Sequence, residues 1–356
     1  MKIGILSMQR VINYGSFLQS YALKSLIESL GHEVNFVDIK PGKQVMTISR
    51  VKSDNKPKID KYIFKRIEHI WFSKKRRKNF ESVYFEETGI NQPCPENECD
   101  MIVIGSDEVF NCCQSSKWGF SDQLFGNTDV TSITYAASCG YTTYEKVAEL
   151  GLSEKIWASL TKLQAISVRD KNTKAFVQSV LSVEPEQHLD PVLIYDWKNE
   201  VPQTRRYGNY ILIYAYDNRI YDESEINAIK KFAKKHHLEL ISFGVYQRWC
   251  DRNVSCSPFE LLSYFDGAKY VITDTFHGTV ISIKRNKPFA VLIRESNKEK
   301  LTDLLERFGL TDRELMSINA LEDVITKDID YSHINEKIRI AQSEALDYLK
   351  TNLSRT

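Results

Sequence analysis

Several things are scarce in this chain, and each scarcity removes a class of protein. Its seven cysteines (Cys94, Cys99, Cys112, Cys113, Cys139, Cys250 and Cys256) form an odd, irregular set without a CxxC pair. Neither a disulfide framework nor a zinc site is indicated, and a reducing cytoplasm is the expected setting. No window approaches the roughly 20 apolar residues needed to span a bilayer. The opening MKIGILSM is a short apolar run that polar residues soon interrupt. It lacks the charged lead and small-residue cleavage site of a signal peptide. An excess of one charge is missing too. The formal net charge is +1, so no global field favours nucleic acid, and no nucleic-acid partner is expected. No repeat recurs at solenoid periods. No dense cluster of metal ligands exists, and the adjacent His236-His237 would point two ways on a helix. Neither a metal nor a cofactor is expected.

What is present is a soluble globular composition, 42% hydrophobic and 27% charged over 356 residues. That length suits two domains of roughly 150 residues each. KIGILSM (2–8) reads as a buried strand. FLQSYALKSLIESLG (17–31) reads as a helix, with Leu18, Tyr21, Ala22, Leu26 and Leu30 near period 3.6 and Gly31 at the cap. HEVNFVDIK (32–40) completes a βαβ unit, which implies a parallel sheet covered on both faces. Strands are expected at 99–110, 132–140, 164–170 and, in EQHLDPVLI, 186–194, with helices about 145–162 and 171–181.

Residues 198–208 are polar and without apolar period, and mark a boundary. Beyond them strands at 210–216, 238–245, 268–274 and 287–293 alternate with helices at about 223–236, 257–265, 277–285 and 298–308. The fold class is therefore α/β, with two Rossmann-like domains, 1–200 and 207–325, facing each other across a cleft. A final helix within 326–356 would return to the first domain. The segment 61–87 stands apart, aromatic-rich with five basic residues from Lys74 to Lys78. Its stretch 61–80 admits peripheral contact with an anionic membrane surface. The plainer alternative is a solvated helix face with Trp71, Phe72 and Phe80 packed inward.

Ligands of open α/β sheets sit at the carboxyl ends of strands. VITDTFHGTV (271–280) puts His277 at such an end, where an imidazole titrates near neutral pH and can transfer a proton. The alternative is a histidine that only caps the turn. Gly278 would leave room for a close approach, and the amides of Gly278, Thr279 and Val280 would be free donors for a phosphate or carboxylate. Asn13-Tyr14-Gly15-Ser16 occupies the equivalent loop of the first domain, with Ser16 as an N-cap candidate. Gly105-Ser106-Asp107 ends a third strand and could face the same cleft. Each of these two loops, alone, reads first as turn chemistry.

Taken in order, NYGSFLQSYAL (13–23), VIGSDEVF (103–110), YAASCG (135–140), SVRD (167–170), HLDPVLI (188–194) and TDTFHGTVISIKRNKPF (273–289) resemble the polysaccharide pyruvyl transferase family. The resemblance runs from about residue 2 to 310. It implies a fold similar to GT-B glycosyltransferases and transfer of a pyruvyl group from phosphoenolpyruvate, as co-substrate, to two hydroxyls of a sugar. The product would be a ketal on a cell-surface glycan precursor, with a glycan or lipid-linked sugar as acceptor. It also implies His277 as general acid at the donor. Asp107 is then the candidate base toward the acceptor, and Asp274 an orienting group. Asn13, Tyr14, Gly15 and Ser106 would line the cleft. The chain departs from the family at Thr275, where an arginine often stands two residues before the histidine to hold donor anions. A hydroxyl offers one hydrogen bond and no charge. Arg169, Arg285 or Arg294 would have to substitute, Arg169 first because SVRD closes a strand. Two other classes compete. One is a GT-B-like enzyme using a nucleotide sugar, with Tyr246 and Trp249 as stacking faces. The other is a non-catalytic glycan-binding protein of the same fold.

Overall fold

The computed structural model describes residues 1–45, 63–113, 118–202, 208–217 and 219–354, with side chains throughout except at 63 and 64. Part of the expected boundary, 203–207, and the first two residues of the stretch 61–80 lie outside the described residues.

Continuous apolar runs give two parallel sheets. In the first half β1 (Lys2–Leu6), β2 (Glu33–Phe36), β3 (Met101–Ile104) and β4 (Ser132–Thr134) pair in the order β2-β1-β3-β4. Bridges from Ile133 to Ala165 and from Ala137 to Val168 carry the sheet on to β5 (Ser167–Val168), which pairs with β6 (Glu186–Gln187). In the second half β7 (Tyr210–Tyr214), β8 (Glu239–Phe243), β9 (Arg252–Val254), β10 (Tyr270–Thr273) and β11 (Phe289–Val291) pair in the order β11-β10-β7-β8-β9. Every pairing within these sheets is parallel. Helices cross between strands and cover both faces, as parallel strands require.

The two halves do not stand apart. One continuous buried cluster runs from Ile3 and Phe17 in the first sheet and its helix to Leu212, Phe265 and Val280 in the second, and on to Ala345 and Leu349. The helix Tyr331–Leu353 lies against the first half, where the Tyr348 hydroxyl donates to the Thr134 carbonyl at 2.8 Å and Gln164 Nε2 donates to the Asn352 carbonyl at 3.3 Å.

Two local departures from the sequence pattern matter. The span 186–194 is strand only at Glu186–Gln187. Asp190 then caps a helical turn, Pro191–Ile194, accepting from Val192 N at 3.0 Å. An acceptor followed by proline at the first helical position is a helix start, and it overrides the apolar run. The helix Ile63–Asn79 buries neither Trp71, which is 73% exposed, nor Ile67 and Ile70. Only Phe80, beyond its end, is fully buried. The expectation that Trp71 packs inward is corrected.

Candidate active site

His277 lies in the first turn of the helix Phe276–Lys284, directly after β10. Thr275 caps this helix, its Oγ1 accepting from Gly278 N at 2.9 Å. The Thr279 amide and hydroxyl both donate to the Thr275 carbonyl, at 3.2 and 3.1 Å. The amides of Gly278 and Thr279, expected to be free for an anion, are consumed within the helix's own start. Gly278 has no spare room either. A Cβ there would lie 2.1 Å from Thr273 Oγ1 and 2.7 Å from Thr275 Oγ1. This glycine seats the helix on the strand end instead of admitting substrate, which corrects its expected role.

The first half meets His277 through its own strand-end loop. Asn13 rather than Ser16 is the N-cap of the helix Tyr14–Glu28, its Oδ1 accepting from Gly15 N at 2.7 Å and Ser16 N at 3.4 Å. A Cβ at Gly15 would sit 2.3 Å from both Cγ and Nδ1 of His277. The imidazole of one half thus rests on bare backbone of the other. Ser16, inside the helix, donates to Asp107 Oδ2 at 2.6 Å. Asp107 holds φ at +88°, a region that non-glycine residues occupy at a cost, and its Oδ1 also accepts from Glu108 N at 2.9 Å.

His277 is 8% exposed, and its Nε2 stands 3.5 Å from Asp190 Oδ2 without a hydrogen bond among the described residues. Asp190 is the residue that sequence reasoning missed. Its Oδ2 accepts from Arg169 Nη1 at 3.0 Å and from Ser106 Oγ at 3.1 Å. Burial pushes this carboxyl up, but the charge of His277 and then of Arg169 outweigh it, and Asp190 stays below the usual carboxylate range. An ionised Asp190 is therefore available to hold an imidazolium in place. The signal was Asp190-Pro191 after a short strand, a helix start hidden in an apolar run.

A cavity of about 300 Å³ opens beside His277. Thr275, Asn13, Tyr14, Tyr214, Gly244 and Arg76 share its wall. Tyr14 closes one side by reaching across the halves, its hydroxyl donating to the Cys256 carbonyl at 3.0 Å.

The remaining candidates do not line this cavity. Arg169 is buried, committed to Asp190, and its guanidinium carbon lies 4.1 Å over the Phe276 ring. Arg285 is at the opposite end of the His277 helix and pairs with Asp266 through Nε at 2.6 Å. Arg294 pairs with Glu225 at 2.8 and 2.9 Å. Asp274 is fully buried and accepts from Tyr216 N at 3.0 Å, with burial raising its pKa to about 6. The ring of Tyr246 is stacked on His69 at 5.4 Å and meets Phe72 edge-on at 5.9 Å, so one of its faces is already taken. No group of three or more histidine, cysteine or acidic side chains is placed to hold a metal among the described residues.

The architecture has known counterparts. A proposed UDP-N-acetylglucosamine 2-epimerase from Listeria monocytogenes superposes with a TM-score of 0.55 at 10% identity, covering 100% of this chain and 97% of that one. The glycotransferase of kitacinnamycin superposes at 0.51 and 9% identity, covering 98% and 97%. At such identities these likenesses speak for the fold, two Rossmann-like halves of GT-B type. Among curated proteins no sequence matches. The sequence model that does match is that of polysaccharide pyruvyl transferase, over residues 13–296. That span begins at the N-cap Asn13 and contains Gly15, Asp190 and His277, the residues that meet between the halves, and with it the chain belongs to the polysaccharide pyruvyl transferase family.

Proposed function

We propose that this transferase moves a pyruvyl group from phosphoenolpyruvate to a pair of hydroxyls on a glycan or lipid-linked sugar, forming a cyclic ketal. The observation that carries the reading is His277, whose Nε2 is buried, without a hydrogen-bond partner among the described residues, and beside Asp190 at the wall of a cavity of about 300 Å³. Such a volume is at the lower end for ligand sites and suits a three-carbon phosphate better than a nucleotide sugar. His277 in its imidazolium form gives a proton to the donor's methylene carbon, generating a cationic centre at the neighbouring carbon. One sugar hydroxyl bonds to that carbon and the carbon–oxygen bond to phosphate breaks, the phosphate leaving with the electron pair. The second hydroxyl closes the ring. Of the two hydroxyl protons, one replaces the proton His277 gave and the other leaves with phosphate. Asp107, held by Ser16, is the carboxylate assigned to the acceptor hydroxyls. The reaction balances with donor, acceptor and proton transfers alone, so it calls for no cofactor.

The test is phosphate release from phosphoenolpyruvate in the presence of glycan acceptors, followed by mass spectrometry of the product. Wild type should release phosphate, and a folded His277→Ala should lose roughly 10²-fold or more. A folded His277→Ala with full activity would remove the assignment. Stabilisation of the wild type by a nucleotide sugar and not by phosphoenolpyruvate would replace the reading with glycosyl transfer.

The reading extends to location, at the cytoplasmic face of a membrane. No helix among the described residues is long and apolar enough to cross one. On the helix Ile63–Asn79, however, exposed Ile67, Ile70 and Trp71 share a face with exposed Lys74 and Lys78. Apolar residues bounded by lysines complement an anionic lipid surface, where a lipid-linked acceptor would be held. Sedimentation with vesicles containing anionic lipid should carry down wild type, and a double variant Trp71→Ser, Lys74→Glu should stay in solution. Equal sedimentation of both would end the proposal.

A further inference from the structure

Thr275 leaves the cavity beside His277 without the cation that an anionic donor needs, and none of the three arginines expected to replace it is free. Arg169 is bound to Asp190, Arg285 to Asp266 and Arg294 to Glu225. A fourth arginine lines the cavity. Arg76 comes from the helix Ile63–Asn79, which the chain inserts between β2 and β3 of the first half. That helix lies against the second half. Lys65 Nζ donates to the Arg248 carbonyl at 3.0 Å, Glu68 accepts from the Tyr246 hydroxyl at 2.5 Å, and His69 Nε2 lies 3.4 Å from Asp217. One helical turn and more further on, Arg76 Nη1 donates to the Gly244 carbonyl beyond β8.

The guanidinium is poorly compensated there. Its Nε is buried and finds no hydrogen-bond partner among the described residues. No carboxylate forms an ion pair with it among them either, and the one acid on the cavity wall, Asp217, faces His69. Burial lowers the Arg76 pKa, with Tyr14 and Asp217 opposing weakly. A desolvated cation with a single carbonyl for partner is costly unless an anion joins it. A planar guanidinium is also the side chain best matched to a carboxylate or phosphate.

We propose that Arg76, carried across from the first half, is the residue that binds the donor's anionic group in the cavity of His277. The ligand class is a small molecule bearing a phosphate or carboxylate. Its identity as phosphoenolpyruvate rests on the function proposed above, but the anion site does not. Binding of phosphoenolpyruvate and of inorganic phosphate is measured by titration calorimetry on wild type, Arg76→Met, Arg76→Lys and Arg77→Ala, with thermal melts for each. Methionine keeps the apolar stem and removes the charge. Arg77 is 68% exposed and pairs with Glu81, so it controls for net charge. Arg76→Met should bind the anion roughly 10- to 100-fold more weakly, as a rise in Kd, Arg76→Lys should recover part of this, and Arg77→Ala should match wild type. Folded Arg76→Met that binds as wild type does would overturn the inference and leave the function standing. Wild type that binds phosphate through Arg76 but neither binds nor consumes phosphoenolpyruvate would sink the function and keep the anion site. Binding of neither probe by wild type would sink both.

Discussion

The His277 ring lies against the Cα of Gly15, so close that a methyl group on Gly15 would come within 2.3 Å of the ring's Cγ. Glycine is needed at this place for the contact between the halves, not for the backbone. The residue sits at the start of a helix, where alanine would improve local propensity by up to about 1 kcal/mol. Gly15→Ala should therefore tilt or displace the imidazole while the helix persists. We expect a net destabilisation of about 1–3 kcal/mol, the usual scale for overpacking. Transfer should fall by roughly 10²-fold if the ring shifts by even about an ångström. Thermal melts and steady-state rates on the same preparation check both. Unaltered activity would show that the ring's position does not matter.

Tyr14 tests another contact between the halves. Its hydroxyl donates to the Cys256 carbonyl at 3.0 Å and lies 3.3 Å from Ser255 Oγ, and its ring meets Phe80 and Phe243 edge-on at 4.9 and 5.1 Å. Tyr14→Phe keeps the ring contacts and leaves a buried carbonyl short of one donor. The expected loss is about 1 kcal/mol. Tyr14→Ala also deletes the ring and should cost about 3–5 kcal/mol. Chemical denaturation of the two variants measures the split.

Much of this arrangement was legible in the chain itself. Apolar runs ending in Gly-Ser-Asp, Asn-Tyr-Gly and Thr-Phe-His-Gly gave the parallel strands and their carboxyl-end loops, because period and punctuation are local. What stayed hidden depends on contacts remote in sequence. Asp190 sits in an apolar stretch that reads as strand until the Asp-Pro start is given weight. Arg76 lies in a basic run that reads as a solvated face. Its companions Arg77 and Lys78 are indeed exposed, and only the fold turns Arg76 toward the second half. The role first given to Gly278 belongs instead to Gly15. Sequence shows that a glycine is present but not what presses on it.

Asp190 holds three donors in a space that excludes water, so removing its charge while keeping its shape should be severe. Asp190→Asn retains an acceptor for Val192 N but leaves the buried Arg169 guanidinium without its nearest counter-ion, Asp170 standing 4.0 Å from its Nε. Breaking a buried pair in this way costs about 3–5 kcal/mol. The sign with pH follows from a folded-state pKa held below the ordinary value of 3.8. The contribution is complete above about pH 4 and is lost only as pH falls through the lower folded value. The stability gap between wild type and Asp190→Asn should thus narrow in acid, and the part supplied by Arg169, which keeps its charge, should persist to alkaline pH. A gap that stayed the same down to the most acid pH at which the protein folds would contradict an Asp190 that must be ionised to contribute.

Asp274 should do the reverse. Its carboxyl is fully buried at the end of β10, and its Oδ2 finds no hydrogen-bond partner among the described residues. Arg219 Nε comes no nearer than 3.8 Å. Burial raises the pKa from 3.8 to about 6, because the Tyr216 amide and the charges of Arg219 and Arg294 offset only part of the desolvation. The folded chain then keeps a proton that the unfolded chain releases. Its stability must fall as pH rises from about 4 through about 6 and level off beyond. For a shift of this size the decline is about 3 kcal/mol. Asp274→Asn keeps the acceptor for the Tyr216 amide and cannot ionise, so the difference between wild type and variant isolates this one group. Urea unfolding of both proteins across that interval is the measurement. Parallel curves would mean that the carboxyl is already ionised in the folded protein and that Arg219 closes on it in solution.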